Sequence, residues 1–186
     1  GLVGMSMALA LAKSGLKIAV IEKTGISAQL DAAFDGRVSA IALGSKYILD
    51  DVGAWEFIQP HAEPILDIRV SDGATPFFLH YDHKEVGENP FGYIVENRYT
   101  RYGLHQAAAK FPNITLIENF KVKTLLQEQY SASITRDNGD SIAASLIIAA
   151  DGKTSQIRQL AGIGATTWDY RQTAIVCTIE HSLEHN

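Results

Sequence analysis

Apolar positions fall into short blocks with changing period, and the blocks predict an alternation of helices and strands followed by a run of strands. An alanine-rich helix is expected from about Met5 to Lys13, ended by Gly15, with an apolar strand from Lys17 to Ile21 that stops at Glu22. Ala40 to Leu49 is expected as a helix, with apolar residues at Ile41, Leu43, Ile48 and Leu49 and a stop near Gly53. Trp55, Phe57 and Ile58 pack a short segment before Pro60 and Pro64. Ile65 to Val70 and Phe77 to Tyr81 alternate as strands around Ser71-Asp72-Gly73, which predicts a hairpin with a long loop. Gly92-Tyr93-Ile94-Val95 leads into a helix from about Tyr99 to Lys110, closed by Phe111-Pro112-Asn113.

Beyond that helix the period stays near two. Ile114 to Ile117 reads as a short buried strand, and further strands are expected at Lys121 to Gln127, Ser131 to Arg136 and Ile142 to Ala149. The last two are joined through Asn138-Gly139, a strong hairpin signal. A late strand is expected from Thr173 to Ile179. A doubly wound dehydrogenase would keep alternating strand and helix here; three consecutive strands point to the flavoprotein variant of the dinucleotide fold.

Composition narrows the class. With 186 residues, 46% of them hydrophobic, the chain can bury a core of one or two domains. No apolar run approaches the roughly 18 residues of a membrane span. A net charge of −5 argues against a duplex nucleic-acid binder. The single Cys177 excludes an internal disulfide, suits a reducing compartment, and reads as a buried inert thiol in the run Ala174 to Ile179.

The candidate chemistry begins at the first residue. Gly1-Leu2-Val3-Gly4 reads as the second half of G-x-G-x-x-G, and Glu22 lies 21 residues after Gly1. That is close to the spacing of about 20 at which a strand-end acid reaches a ribose hydroxyl. Gly1 would let the backbone approach a pyrophosphate at a helix N-terminus, and Gly4 would let the helix pack close to the sheet. An ordinary strand–helix–strand crossover accounts for these glycines equally, and a signal-peptide core is a weaker rival without a basic segment before it. A strand is expected before Gly1, so the chain reads as a fragment, one expected to carry little bound cofactor by itself. A second motif, Leu146 to Ala150 running into Asp151-Gly152, places an acid at a strand's carboxyl end, where open α/β sheets bind ligands. His181-Ser182-Leu183-Glu184-His185 matches an inverted zinc-protease pattern, but neither a helix nor a third ligand supports it. His80 and His83 read as loop residues.

Taken together, the half fingerprint, Glu22, Asp35-Gly36-Arg37-Val38-Ser39-Ala40, Val95-Glu96-Asn97-Arg98 and Ala150-Asp151-Gly152-x-x-Ser155-x-x-Arg158 resemble the FAD-dependent aromatic hydroxylases. The chain is most similar to their ubiquinone-biosynthesis branch, for which Phe34-Asp35-Gly36-Arg37 is the most specific element. Trp168 to Val176 resembles that branch's entry to its substrate-domain sheet. The resemblance implies a Rossmann-like FAD/NAD(P)-binding α/β domain formed by residues 1–64 and 94–168. A mostly antiparallel substrate-domain sheet would take 65–93 and begin again at 169–186. It implies an FAD monooxygenase that uses NADPH and dioxygen to hydroxylate an aromatic polyprenyl precursor of ubiquinone. The alternatives are an FAD-linked reductase or halogenase of the same fold, or a non-catalytic nucleotide-binding module. The implied FAD contacts are Gly1, Gly4, Glu22 and Lys23, then Arg37 and Arg98, Val122 through its backbone, and Asp151 with Gly152. No side chain is assigned a catalytic role. Expected partners are the small aromatic substrate, a peripheral membrane surface, and a biosynthetic complex or second copy; the expected location is the cytoplasm or the face of the inner membrane. The motif departs from the family at Ala149, where glycine is usual, and the family's first glycine and later Gly-Asp motif are not in this sequence.

Overall fold

The computed structural model describes residues 1–30, 36–73, 75–175 and 179–182. In chain order the first elements are α1 (Leu2–Ala12), β1 (Ile18–Ile21), α2 (Ile26–Leu30), β2 (Val38–Ala42), α3 (Leu43–Asp51) and α4 (Trp55–Ile58). There follow β3 (Ala62–Ile65), β4 (Asp67–Ser71), β5 (Phe78–Asp82), β6 (Gly92–Glu96) and α5 (Asn97–Ala108). The last are β7 (Ile114–Ile117), β8 (Val122–Gln127), β9 (Ala132–Arg136), β10 (Ser141–Ala144) and α6 (Gln156–Leu160). No helix among the described residues is long and apolar enough to cross a membrane.

Contacts divide the chain into two units. The first comprises Gly1–Ala32 and Ala108–Ala174. Its helix α1 carries no charge, and it buries Met5, Ala8, Leu9 and Ala12, the i, i+3, i+4, i+7 face, leaving Val3 and Met7 exposed. Gly15 at φ +74° ends the helix in the left-handed region that glycine enters without strain. β1 then pairs in parallel with β7, Ile18 opposite Ile114 through Ile21 opposite Ile117. Asn113 fixes this arrangement: its Nδ2 donates to Ala12 O at 2.9 Å and Leu16 O at 2.8 Å, and its carbonyl accepts from Ile18 N at 2.9 Å. One residue thus satisfies the end of α1 with its side chain and sets the start of β1 with its main chain. β8, β9 and β10 form an antiparallel meander, with a bulge between Val122 and Thr124.

The second unit comprises Ala33–Ala107 and Ile175–Asn186. It holds an antiparallel sheet in the order β2-β6-β3 and a separate hairpin, β4-β5. Ile41, Leu49, Trp55, Ile58, Val95 and Leu104 form its core. Two glycines permit the close approaches. A Cβ on Gly92 would overlap the Ile41 carbonyl oxygen across the strand pair, and one on Gly103 would come within 2.5 Å of Ile58 Cγ1. The hairpin pairs Asp67 with Asp82 through Ser71 with Phe78, and Val70, Phe78 and Leu79 remain exposed. The unit boundaries fall after Ala32 and before Ala108 because the β2-β6-β3 sheet ties residues 38–65 to 92–96.

Several expected elements change. The helix expected from Ala40 begins only at Leu43, because Val38–Ala42 pairs along its whole length with Glu96–Gly92. Alanine and isoleucine there are compatible with a helix locally, and the ladder outweighs the propensity. For the same reason Gly92–Glu96 is a central strand, more than a lead-in to a helix. The single strand expected from Ile65 to Val70 is two strands in different sheets, divided at Leu66. β10 stops at Ala144, and 146–150 carries no ladder among the described residues. Of the late strand expected at Thr173 to Ile179, residues 173–175 and 179 have no regular structure, and 176–178 lie outside the described residues.

Candidate cofactor site

In the first unit the fold brings the half fingerprint and the strand-end acid together. Gly1 is the N-cap of α1, and its main-chain nitrogen lies beside the Glu22 carboxylate. The main chain pins Glu22 from both sides: its N–H donates to Ile117 O at 2.9 Å, and its carbonyl accepts from Phe120 N at 3.0 Å. Phe120 is buried, and Asn119 takes a left-handed φ of 54° so that the chain can turn back onto Glu22. Val122, half-buried two residues later, opens the meander beside this turn. Lys23 is exposed next to Glu22.

The glycines have separate geometries. A Cβ on Gly1 would meet nothing within 4 Å. A Cβ on Gly4 would lie 3.3 Å from Ala150 Cβ, tighter than ordinary contact. α1 is therefore pressed against the segment that leads into Asp151. These features fit a dinucleotide: a helix N-terminus capped by glycine for phosphate, a carboxylate beside it for a ribose, and a glycine that allows the helix to sit close.

Asp151 is engaged by its own chain. Its carboxylate accepts from the Ser155 hydroxyl, from Gln156 N at 2.7 Å and from Ile157 N at 3.1 Å. Ser155 is buried and caps α6, accepting from Arg158 N at 3.0 Å. Burial pushes the Asp151 carboxyl up, but the Ser155 hydroxyl and the Ile157 and Gln156 amides outweigh it and hold the group below its ordinary value of 3.8. Gly152, at φ +89°, makes the turn between acid and helix. Gly152, Ser155 and Arg158 line a cavity of about 520 Å³ together with Leu125, Tyr130 and Leu146; neither Gly1 nor Glu22 borders it.

In the second unit the two arginine motifs meet at one end of the β2–β6 pair. Val38 stands opposite Glu96, and the Arg37 carbonyl accepts from Asn97 N at 3.0 Å. Ser39 Oγ donates to Asn97 Oδ1 at 2.5 Å. Arg98 Nε lies 2.6 Å from Glu96 Oε2. Ser39 and Asn97 stand inside the motifs that sequence reasoning singled out, yet only the strand register reveals that they join them. Phe34 and Asp35 lie outside the described residues. Among the described residues no group of three or more His, Cys, Asp or Glu could hold a metal ion, and Leu183, Glu184 and His185 of the zinc-like pattern are not described.

Residues 1–182 match the family described as FAD binding domain. The chain belongs to this family. It is 43% identical over 185 residues to ubiquinone hydroxylase UbiL of Rhodospirillum rubrum, covering 100% of this chain and 43% of that protein. It is 31% identical over 182 residues to 3-demethoxyubiquinol 3-hydroxylase of Escherichia coli, covering 97% of this chain and 46% of that protein. The chain thus spans less than half the length of these relatives. p-Nitrophenol 4-monooxygenase from Pseudomonas putida shares the fold, with a TM-score of 0.69 at 22% identity over 86% of this chain and 41% of that one. The FAD-type α/β fold expected from the sequence is the fold observed.

Proposed function

We propose that this chain is the FAD-binding part of a monooxygenase that hydroxylates the aromatic ring of a polyprenyl phenol or quinol precursor in ubiquinone biosynthesis, using NAD(P)H and dioxygen. The observation that carries the reading is the Glu22 carboxylate standing at the glycine that caps α1, in a chain similar along its whole length to ubiquinone hydroxylases. Gly1 and Gly4 would take the pyrophosphate end, and Glu22, Lys23 and the Val122 backbone the adenosine end. Arg37 and Arg98 would also bind FAD. Asp151 would act by setting the α6 N-terminus, with Gly152 supplying its turn. When bound, FAD would supply the hydride acceptor for the nicotinamide and the site of oxygen activation. The residues here bind and orient it. Functionally, residues 1–64 and 94–168 would serve the cofactor, and 65–93 with 169–186 the substrate. Contact with a membrane surface, a biosynthetic complex or a second copy belongs to the same reading.

The test is substrate-stimulated NADPH oxidation by the intact protein, with the product analysed after reaction under ¹⁸O₂. One labelled oxygen on the ring is expected. NADPH oxidation with an unlabelled, reduced or halogenated product would replace the hydroxylase reading with a reductase or halogenase.

A further inference from the structure

Arg98 is held from two directions by residues with no role so far. Its Nε faces Glu96 Oε2 at 2.6 Å, and both atoms are shut off from solvent although the two side chains are 37% and 31% exposed. Its guanidinium carbon lies 4.7 Å from the centroid of the Tyr99 ring, within cation–π range. The Tyr99 ring in turn stacks on His61, with centroids 3.6 Å apart and planes 4° from parallel. Three elements build this set. Glu96 ends β6, Arg98 and Tyr99 open α5, and His61 immediately precedes β3, whose Ala62 pairs with Val95 of β6. The sheet register therefore brings His61 to Tyr99.

We infer that Glu96, Tyr99 and His61 are positioning residues for Arg98, fixing its guanidinium between a carboxylate and an aromatic stack so that it meets FAD in one orientation. This rests on the reading that Arg98 binds FAD. A free arginine side chain samples many rotamers. A side chain already ordered by the fold does not lose that freedom on binding, which is the advantage of preorganisation. The carboxylate and the ring together restrict where the guanidinium sits.

The test measures FAD affinity of the intact protein by quenching of flavin fluorescence, in a cycle of Arg98→Ala, Tyr99→Leu and the double variant, with Tyr99→Phe as the conservative control. Tyr99→Leu should weaken FAD about three- to tenfold, the scale of a lost cation–π contact. Tyr99→Phe, which keeps the stack, should restore the affinity. In the Arg98→Ala background Tyr99→Leu should add nothing, because its effect passes through the arginine. Should Tyr99→Leu fail to fold, His61→Ala carries the same cycle with Tyr99 in place. Equal weakening in both backgrounds, or no weakening when Arg98→Ala itself weakens, overturns the positioning role alone. No effect from Arg98→Ala overturns the assignment of Arg98 to FAD, and the positioning role with it.

Discussion

Glu22 and Asp151 look alike in the sequence, each an acid at the end of an apolar run, and the fold treats them in opposite ways. With Glu22 the fold holds the main chain, through Ile117 and Phe120, and sends the carboxylate to the N-terminal end of α1. With Asp151 it is the carboxylate that is held, by one hydroxyl and two amides at the start of α6. A side chain consumed by its own helix end acts by shaping the backbone. A side chain delivered to a helix N-terminus stands where a ligand could meet it. On the proposed reading the two acids would divide the work between recognition and scaffolding.

The sharpest break of that comparison is Glu22→Ala in the intact protein. Losing a charge-assisted bond to a ribose should weaken FAD by about 1.5–3 kcal/mol, roughly ten- to a hundredfold. Titration of flavin fluorescence reads it directly, and an unchanged affinity would remove Glu22 from the site. Next in size is Asn113→Ala, which loses both bonds to Ala12 O and Leu16 O. About 1–2 kcal/mol of stability should go with them. Hydrogen exchange should rise in β1 and around Glu22 while α6 stays protected; an equal rise in α6 would mean the two acids do not lie in separately held regions.

Much of this was legible beforehand for a physical reason. The α1 helix, the Asn138-Gly139 hairpin and the meander are set by local periodicity and turn chemistry, and they appear as expected except that β10 stops at Ala144. β2 and β6 were missed because their evidence is mutual. Val38–Ala42 has only one buried residue, Ile41, and nothing in its own composition separates strand from helix until Gly92 lets the partner strand come close. The same holds for the site. Spacing pointed to Glu22 and Gly1. The clamp of Ser39 on Asn97, the long-range cap by Asn113 and the stack of His61 on Tyr99 all join residues remote in sequence, and no single-sequence pattern marks them.

Ser155→Ala tests the scaffolding half with a smaller effect. It removes the α6 cap and one donor to Asp151, and about 1 kcal/mol should be lost. If Asp151 acts through α6, amide exchange at Gln156 and Ile157 should rise in Ser155→Ala and Asp151→Asn alike, and each should weaken FAD less than Glu22→Ala does. A loss in Asp151→Asn as large as in Glu22→Ala, with α6 still protected, would instead make Asp151 a direct ligand.

The smallest effect is that of acid, and its sign follows from the same hydrogen bonds. Asp151 has its carboxyl pKa lowered on folding, so its contribution is fully present above the ordinary value of 3.8 and is lost as pH falls through the lower folded value. The group is mostly exposed to solvent, so the contribution is a fraction of a kcal/mol. Protonation removes acceptor strength from the Ser155 hydroxyl and the Gln156 and Ile157 amides together, and the first turn of α6 should fray before β1 and β7 do. Hydrogen exchange followed below pH 4 should show Gln156 and Ile157 losing protection relative to Asp151→Asn, which has no charge to lose and should give a flat profile over the same interval. Matching profiles for the two proteins would mean that the carboxylate charge contributes nothing to the helix end, and that Asp151 is held there by geometry alone.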